Sequence, residues 1–215
     1  MSDFATQRLA MVDSQVRPND VTDLRLQGAL MDVARERFVP AHLQTVAYME
    51  GCPEVQTGRF LLDPRCFAKL VQLAGIRPSD TVLDVGCTTG YSSAILARLA
   101  ARVVALEEDE ALVKTARENL QGLANVRVVQ GALAGGHSAG DPYDVIFLNG
   151  AAYKRPETLL GQLKDGGRLV GVVSEGGTAR ARLYVKAEGS LSERAAFDAQ
   201  VPVLPGFARD AGFVF

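Results

Sequence analysis

The sequence is poor in the residues that build disulfide frameworks and metal centres, with three cysteines and two histidines among 215 residues. Cys52, Cys66 and Cys87 form no C-x-x-C pair, and His42 and His137 are too few to complete a metal cluster with them. An excess of basic charge is also missing. Lys and Arg number 23 against 25 Asp and Glu, giving a net charge of −2. A nucleic-acid surface needs clustered Lys and Arg to neutralise phosphates, and here they are scattered among acids. No apolar run approaches the roughly 18 residues that span a bilayer; the Ala94–Leu106 stretch carries Arg98 and Arg102. Asp3 and Gln7 interrupt the first apolar residues, so no secretory h-region is expected there. Repeats and low-complexity tracts are absent. These absences point to a reduced, soluble, cytoplasmic protein without metal, nucleic acid or membrane as partner.

What is present is apolar residues, 47% of the chain, enough for a sizeable core. The length suits a single domain, with a helical segment over 1–75 ahead of a core over 76–215. Phe4, Met11, Val12 and Val16 recur at helical spacing until Pro18, and a second helix is expected over Val21–Val33. Residues 40–58 read as mixed and loop-rich. Asp63-Pro64 is a helix start, an N-cap acceptor followed by proline, and Gly75 a helix end. From there short runs of Val, Ile and Leu alternate with helices. Strands are predicted at Thr81–Val85, Arg102–Leu106, Val126–Gln130, Val145–Leu148 and Arg168–Val173, and helices at Tyr91–Leu99, Glu110–Leu120 and Glu157–Leu163. Near-continuous apolar strands of this kind are buried on both faces, the mark of a doubly wound, mostly parallel α/β sheet. Leu183–Ala187 and Gly212–Phe215, joined without a good helix, read as an antiparallel pair closing it.

Chemistry concentrates at the first strand. Asp84-Val85-Gly86-Cys87-Thr88-Thr89-Gly90 is a D-x-G-x-x-x-G loop between a buried strand and a helix. Glycines there let the backbone turn sharply and approach a ligand. Glu107 ends the next strand, where a carboxylate can accept hydrogen bonds from both hydroxyls of a ribose. The dinucleotide fingerprint G-x-G-x-x-G, laid from Gly86, would need glycine at Thr88 and Tyr91, which excludes that reading. A nucleoside without a pyrophosphate remains. Asn149-Gly150-Ala151 follows the fourth strand at the same edge of the sheet, where ligands bind in such folds. Cys87 and Tyr91 sit in or beside the loop, and each has a plain packing reading beside a functional one.

Met11-Val12-Asp13-Ser14-Gln15-Val16, Arg35-Glu36-Arg37-Phe38-Val39-Pro40 and Ala47-Tyr48 resemble the protein-L-isoaspartate O-methyltransferase family. The likeness continues through Gly58, Pro64, residues 84–90, Pro142-Tyr143-Asp144-Val145-Ile146, Gln162-Leu163-Lys164-Asp165-Gly166-Gly167-Arg168-Leu169-Val170 and Val201-Pro202. The resemblance implies a Rossmann-like fold and S-adenosyl-L-methionine as cofactor. It also implies methylation of isoaspartyl carboxyls in damaged proteins by in-line displacement. A carboxylate acceptor is already ionised at neutral pH, so no general base is required. The cofactor-binding positions implied are Asp84, Gly86, Thr88, Gly90, Glu107 and Ala132; Arg59, Leu62 and Asn149 fall on the substrate side.

Three positions depart from the family pattern. Where the family carries Gly-Gln-Thr-Ile-Ser-x-Pro, this chain has Gly58-Arg59-Phe60-Leu61-Leu62-Asp63-Pro64, so a hydroxyl pair for the acceptor carboxylate has become Phe60 and Leu62. Arg59 is read either as a replacement partner for a carboxylate or as an exposed loop arginine. The middle glycine of the loop is Thr88, which either strains the backbone or offers its hydroxyl to the ligand. The acid that would meet adenine is Ala132, in Gly131-Ala132-Leu133. An altered methyl acceptor, or a non-catalytic binding protein that keeps the fold, are the alternatives these changes open.

Overall fold

Asp63 caps its helix as the sequence predicts, its side chain accepting from the Cys66 N–H at 3.0 Å. In the computed structural model, which describes residues 3–140, 142–175 and 177–209, this helix is α3, Pro64–Ala74, ended by Gly75 at φ 56°. Before it lie α1 (Phe4–Met11) and α2 (Leu24–Asp32). A single π-type turn over Val12–Val16 continues α1 and buries Val12 and Val16. The loop-rich reading of 40–58 conceals a small hairpin, β1 (Glu54–Gln56) against β2 (Arg59–Phe60), turning through Gly58 at φ 71°.

The main sheet comprises β3 (Thr81–Val85), β4 (Arg102–Glu107), β5 (Val126–Gln130), β6 (Tyr143–Ala152), β7 (Leu163–Glu175), β8 (Thr178–Ala187) and β9 (Ser190–Asp198), in the spatial order β5-β4-β3-β6-β7-β8-β9. The first five strands run parallel, and β8 and β9 are antiparallel. The interleaved helices are α4 (Tyr91–Leu96), α5 (Glu110–Asn119) and α6 (Glu157–Gly161).

Two apolar clusters cover the two faces. Val82, Val103, Ala105, Val145, Phe147 and Val170 join α3 and the N-terminal helices on one side. Leu83, Val104, Leu106, Ile146, Leu148 and Leu169 pack on the other. Consecutive strand residues alternate between the clusters because side chains alternate across a strand, which is why both phases of β3, β4, β6 and β7 are apolar in the sequence.

The doubly wound reading holds, with corrections at its edges. The antiparallel partner of β8 is Ser190–Asp198, which sequence reasoning left out; Gly212–Phe215 lies outside the described residues. Strand β9 is almost wholly exposed, so no apolar alternation marks it. Strand β6 runs on to Ala152 and takes in Asn149-Gly150-Ala151, and α4 and α6 end earlier than their apolar residues suggest.

Candidate active site

Three residues in the left-handed region turn the chain at the carboxyl end of β3: Gly86 at φ 84°, Thr88 at 51° and Gly90 at 99°. For a β-branched residue such a conformation costs about 1–3 kcal/mol. Two hydrogen bonds hold Thr88 there. Its N–H donates to Glu107 Oε2 at 2.9 Å, and its hydroxyl donates to the Cys87 carbonyl at 2.8 Å. The hydroxyl therefore serves the loop's own backbone.

Two buried polar side chains shape the loop from beneath. Asp84 Oδ2 accepts from the hydroxyls of Ser92 and Ser93, both at 2.6 Å, which ties β3 to the first turn of α4. Burial pushes the Asp84 carboxyl up to about 6 against the pull of the two serines. Asn149 Nδ2 donates to the Gly86 carbonyl at 3.0 Å and to Ser92 Oγ at 3.2 Å, fastening β6 to the loop. Asn149, a substrate-side expectation, is thus turned into the loop.

Glu107 ends β4 fully buried. Its Oε1 accepts from Arg59 Nη1 at 2.5 Å and from the N–H groups of Glu108 and Asp109 at 2.8 and 3.2 Å. Its Oε2 accepts from Arg59 Nη2 at 2.6 Å as well as from Thr88 N–H. Arg59 is 5% exposed, so the exposed-loop reading is wrong. It does meet a carboxylate, but one belonging to this chain. The hairpin that carries it has a second anchor, Gln56 Nε2 donating to Asp109 Oδ2 at 2.8 Å.

The C-terminal part of the described chain covers the rest of the loop. Residues 202–204 run beside β6, with Ala151 N–H donating to the Pro202 carbonyl and Leu204 N–H to the Ala151 carbonyl, each at 2.9 Å. This lays Leu204 over the glycines: a Cβ on Gly86 would stand 2.8 Å from Leu204 Cδ2, and one on Gly150 2.6 Å from Leu204 Cγ. Residues 86–90 are all buried. Leu204 carries no sequence signal, whereas Ser92-Ser93 could have been found as the hydroxyls one helical turn beyond the loop.

Leu62 is buried in the core, and its carbonyl accepts from Arg35 Nη2 at 2.8 Å, so its side chain is withdrawn from any substrate. Ala132 is exposed just after β5. Burial raises the Cys87 thiol well above its ordinary value, which makes it inert. The Tyr91 ring packs against Phe38 and Phe67, with Arg35 stacked 4.7 Å from its centre. Arg35-Glu36 is a scaffold: Arg35 Nε donates to the Ala47 carbonyl at 2.8 Å, and Glu36 accepts from the Tyr48 hydroxyl. Among the described residues no group of three metal-ligating side chains gathers, and no helix is long and apolar enough to cross a membrane.

A glycine loop ending β3, beside a buried carboxylate ending β4, is the arrangement of the Rossmann-like methyltransferase class. Residues 7–203 match the family model of protein-L-isoaspartate(D-aspartate) O-methyltransferase. A protein-L-isoaspartate O-methyltransferase of Herpetosiphon aurantiacus is 35% identical over 178 residues, 81% of this chain and 80% of that one. One from Methanoregula boonei is 36% identical over 181 residues, covering 83% and 82%. The chain belongs to this family of S-adenosylmethionine-dependent methyltransferases. Two solved structures share the fold. A protein-L-isoaspartate O-methyltransferase superposes with a TM-score of 0.80 at 24% identity, covering 93% of this chain and 66% of that one. A Plasmodium falciparum relative, solved in complex with S-adenosyl-L-homocysteine, gives 0.78 at 18% identity, covering 94% and 97%.

The backbone of the loop suits a nucleoside, and two side chains, Arg59 and Leu204, stand where one would lie. A carboxylate offers about four lone-pair positions, and Glu107 already meets five donors from Arg59, Thr88, Glu108 and Asp109. A ribose hydroxyl would therefore have to replace Arg59 on Glu107, and Leu204 lies over Gly86.

Proposed function

We propose that this protein methylates the free carboxyl of isoaspartyl residues in damaged proteins, in the cytoplasm, with S-adenosyl-L-methionine as methyl donor. The observation that carries the reading is Glu107, a fully buried carboxylate that ends β4 and faces the turn at Gly86–Gly90. Glu107 would hold the ribose, with Gly86, Thr88 and Gly90 as the loop around it and Ala132 at the adenine end. Asp84 and Asn149 act behind them, because their hydrogen bonds go to Ser92, Ser93 and the Gly86 carbonyl. On the acceptor side no base is needed, since a carboxylate is ionised at neutral pH. The chain's tasks are alignment and exclusion of water.

Transfer of a labelled methyl group to an isoaspartyl peptide, and none to the matching aspartyl peptide, is the expected result. Absence of transfer at high enzyme concentration, with cofactor binding demonstrated, overturns it. One observation favours a second reading, methyl transfer to another acceptor. The two positions where hydroxyls would meet the acceptor carboxylate hold Phe60, half-buried, and Leu62, buried. Turnover with a different acceptor and none with isoaspartyl peptide would select it.

A further inference from the structure

We propose that Arg59 is shared between two carboxylates: it sits on Glu107 while the cofactor site is closed, and moves to the carboxylate of the methyl acceptor when the cofactor displaces it. The inference rests on the methyl-transfer reading above.

Three features carry it. First, Arg59 occupies both oxygens of Glu107, the carboxylate that a ribose would need. Second, it stands on a short hairpin with an exposed tip. Strands β1 and β2 hold two to three residues each, Thr57 and Gly58 at the tip are exposed, and the polar links from the hairpin side chains to β4 and α5 are Arg59–Glu107 and Gln56–Asp109. Third, a guanidinium lifted from Glu107 needs a new anion, because a buried charge without a partner is strongly unfavourable. The planar fork of arginine fits a carboxylate with two parallel hydrogen bonds. The acceptor is a carboxylate, and Arg59 immediately precedes Phe60, the first of the two positions that lack the hydroxyls to hold it.

The exchange has a thermodynamic consequence. The cofactor must compete with Arg59 for Glu107, and an acceptor carboxylate that captures Arg59 removes the competitor. Cofactor and acceptor therefore bind with positive coupling, and reciprocity requires each to tighten the other by one factor. A purely structural arginine would produce no such coupling.

The test measures S-adenosyl-L-homocysteine binding by calorimetry in the wild-type protein, with and without a short isoaspartyl peptide, and again in Arg59→Gln. In the wild type we expect the peptide to tighten binding at least fivefold. In Arg59→Gln, binding without peptide should be at least tenfold tighter than wild type, with the coupling gone and the peptide KM raised tenfold or more. Wild-type binding indifferent to the peptide, or an Arg59→Gln protein that binds no tighter, overturns the exchange while leaving methyl transfer standing. Absence of binding in both proteins overturns the cofactor reading and the exchange with it. The wild-type arm decides the matter should the variant fold poorly.

Discussion

Both terminal nitrogens of Arg59 lie on the two oxygens of Glu107, at 2.5 and 2.6 Å, across 48 residues of sequence. Fully buried pairs of this kind are poor to break from one side. Removing one partner costs about 3–5 kcal/mol, because the other charge is left unpaired. We expect Arg59→Met and Glu107→Leu each to lose stability on that order in urea denaturation. The double replacement should recover the part of the loss that comes from the orphaned charge, but not the roughly 1–3 kcal/mol for the Thr88, Glu108 and Asp109 N–H groups that lose their acceptor. A double variant as unstable as the sum of the singles would show that the pair is not coupled.

Asp84 makes stability depend on pH. Its carboxyl is raised to about 6 in the folded protein by burial and titrates near 3.9 in an unfolded chain. Between these values the folded state holds more protons than the unfolded state, so stability falls as pH rises through that window. The whole effect is on the order of 2–3 kcal/mol. Asn at position 84 keeps an oxygen for Ser92 and Ser93 but does not titrate. Asp84→Asn should therefore gain on the wild type between pH 4 and pH 7 in denaturant titrations. A constant difference would refute the raised carboxyl.

Thr88 separates strain from hydrogen bonding. Glycine there relieves a left-handed conformation worth about 1–3 kcal/mol. It also gives up the bond to the Cys87 carbonyl, about 1 kcal/mol, and adds unfolded-state entropy of about 0.4–1 kcal/mol. Thr88→Gly should stay within about 1 kcal/mol of wild type. Thr88→Ala keeps most of the strain and loses the bond, so it should be the least stable of the three in thermal melts.

Arg35 should resist conservative replacement. It donates to the carbonyls of Ala47 and Leu62 and stacks on Tyr91. Lysine has neither the fork nor the flat face. Arg35→Lys is expected to lower stability by about 2 kcal/mol or more in urea denaturation. A loss below about 0.5 kcal/mol, the range of ordinary surface changes, would show that the contacts are incidental.

The alternating apolar strands, the Asp63 cap, the Gly75 stop and the loop from Asp84 to Gly90 were all legible in the sequence. Each depends on local periodicity or on a residue's own backbone freedom, and local rules leave marks at fixed spacing. The pairing of Glu107 with the loop was legible too, because strand ends in a parallel sheet come together at one edge. Strand β9 was not, since an exposed edge strand needs no apolar face. Nor could spacing reveal that Arg59 closes on Glu107, that Leu204 lies over Gly86, or that Asn149 points into the loop rather than outward. Those contacts join segments 48 residues or more apart, and only the packed sheet decides which distant side chain reaches a buried carboxylate first. The sequence by itself determined a methyltransferase scaffold and the loop and carboxylate proposed to hold its ligand. Tertiary structure decided that this carboxylate is held by the chain's own arginine, because a carboxylate withdrawn from water must find its counter-charge within the fold.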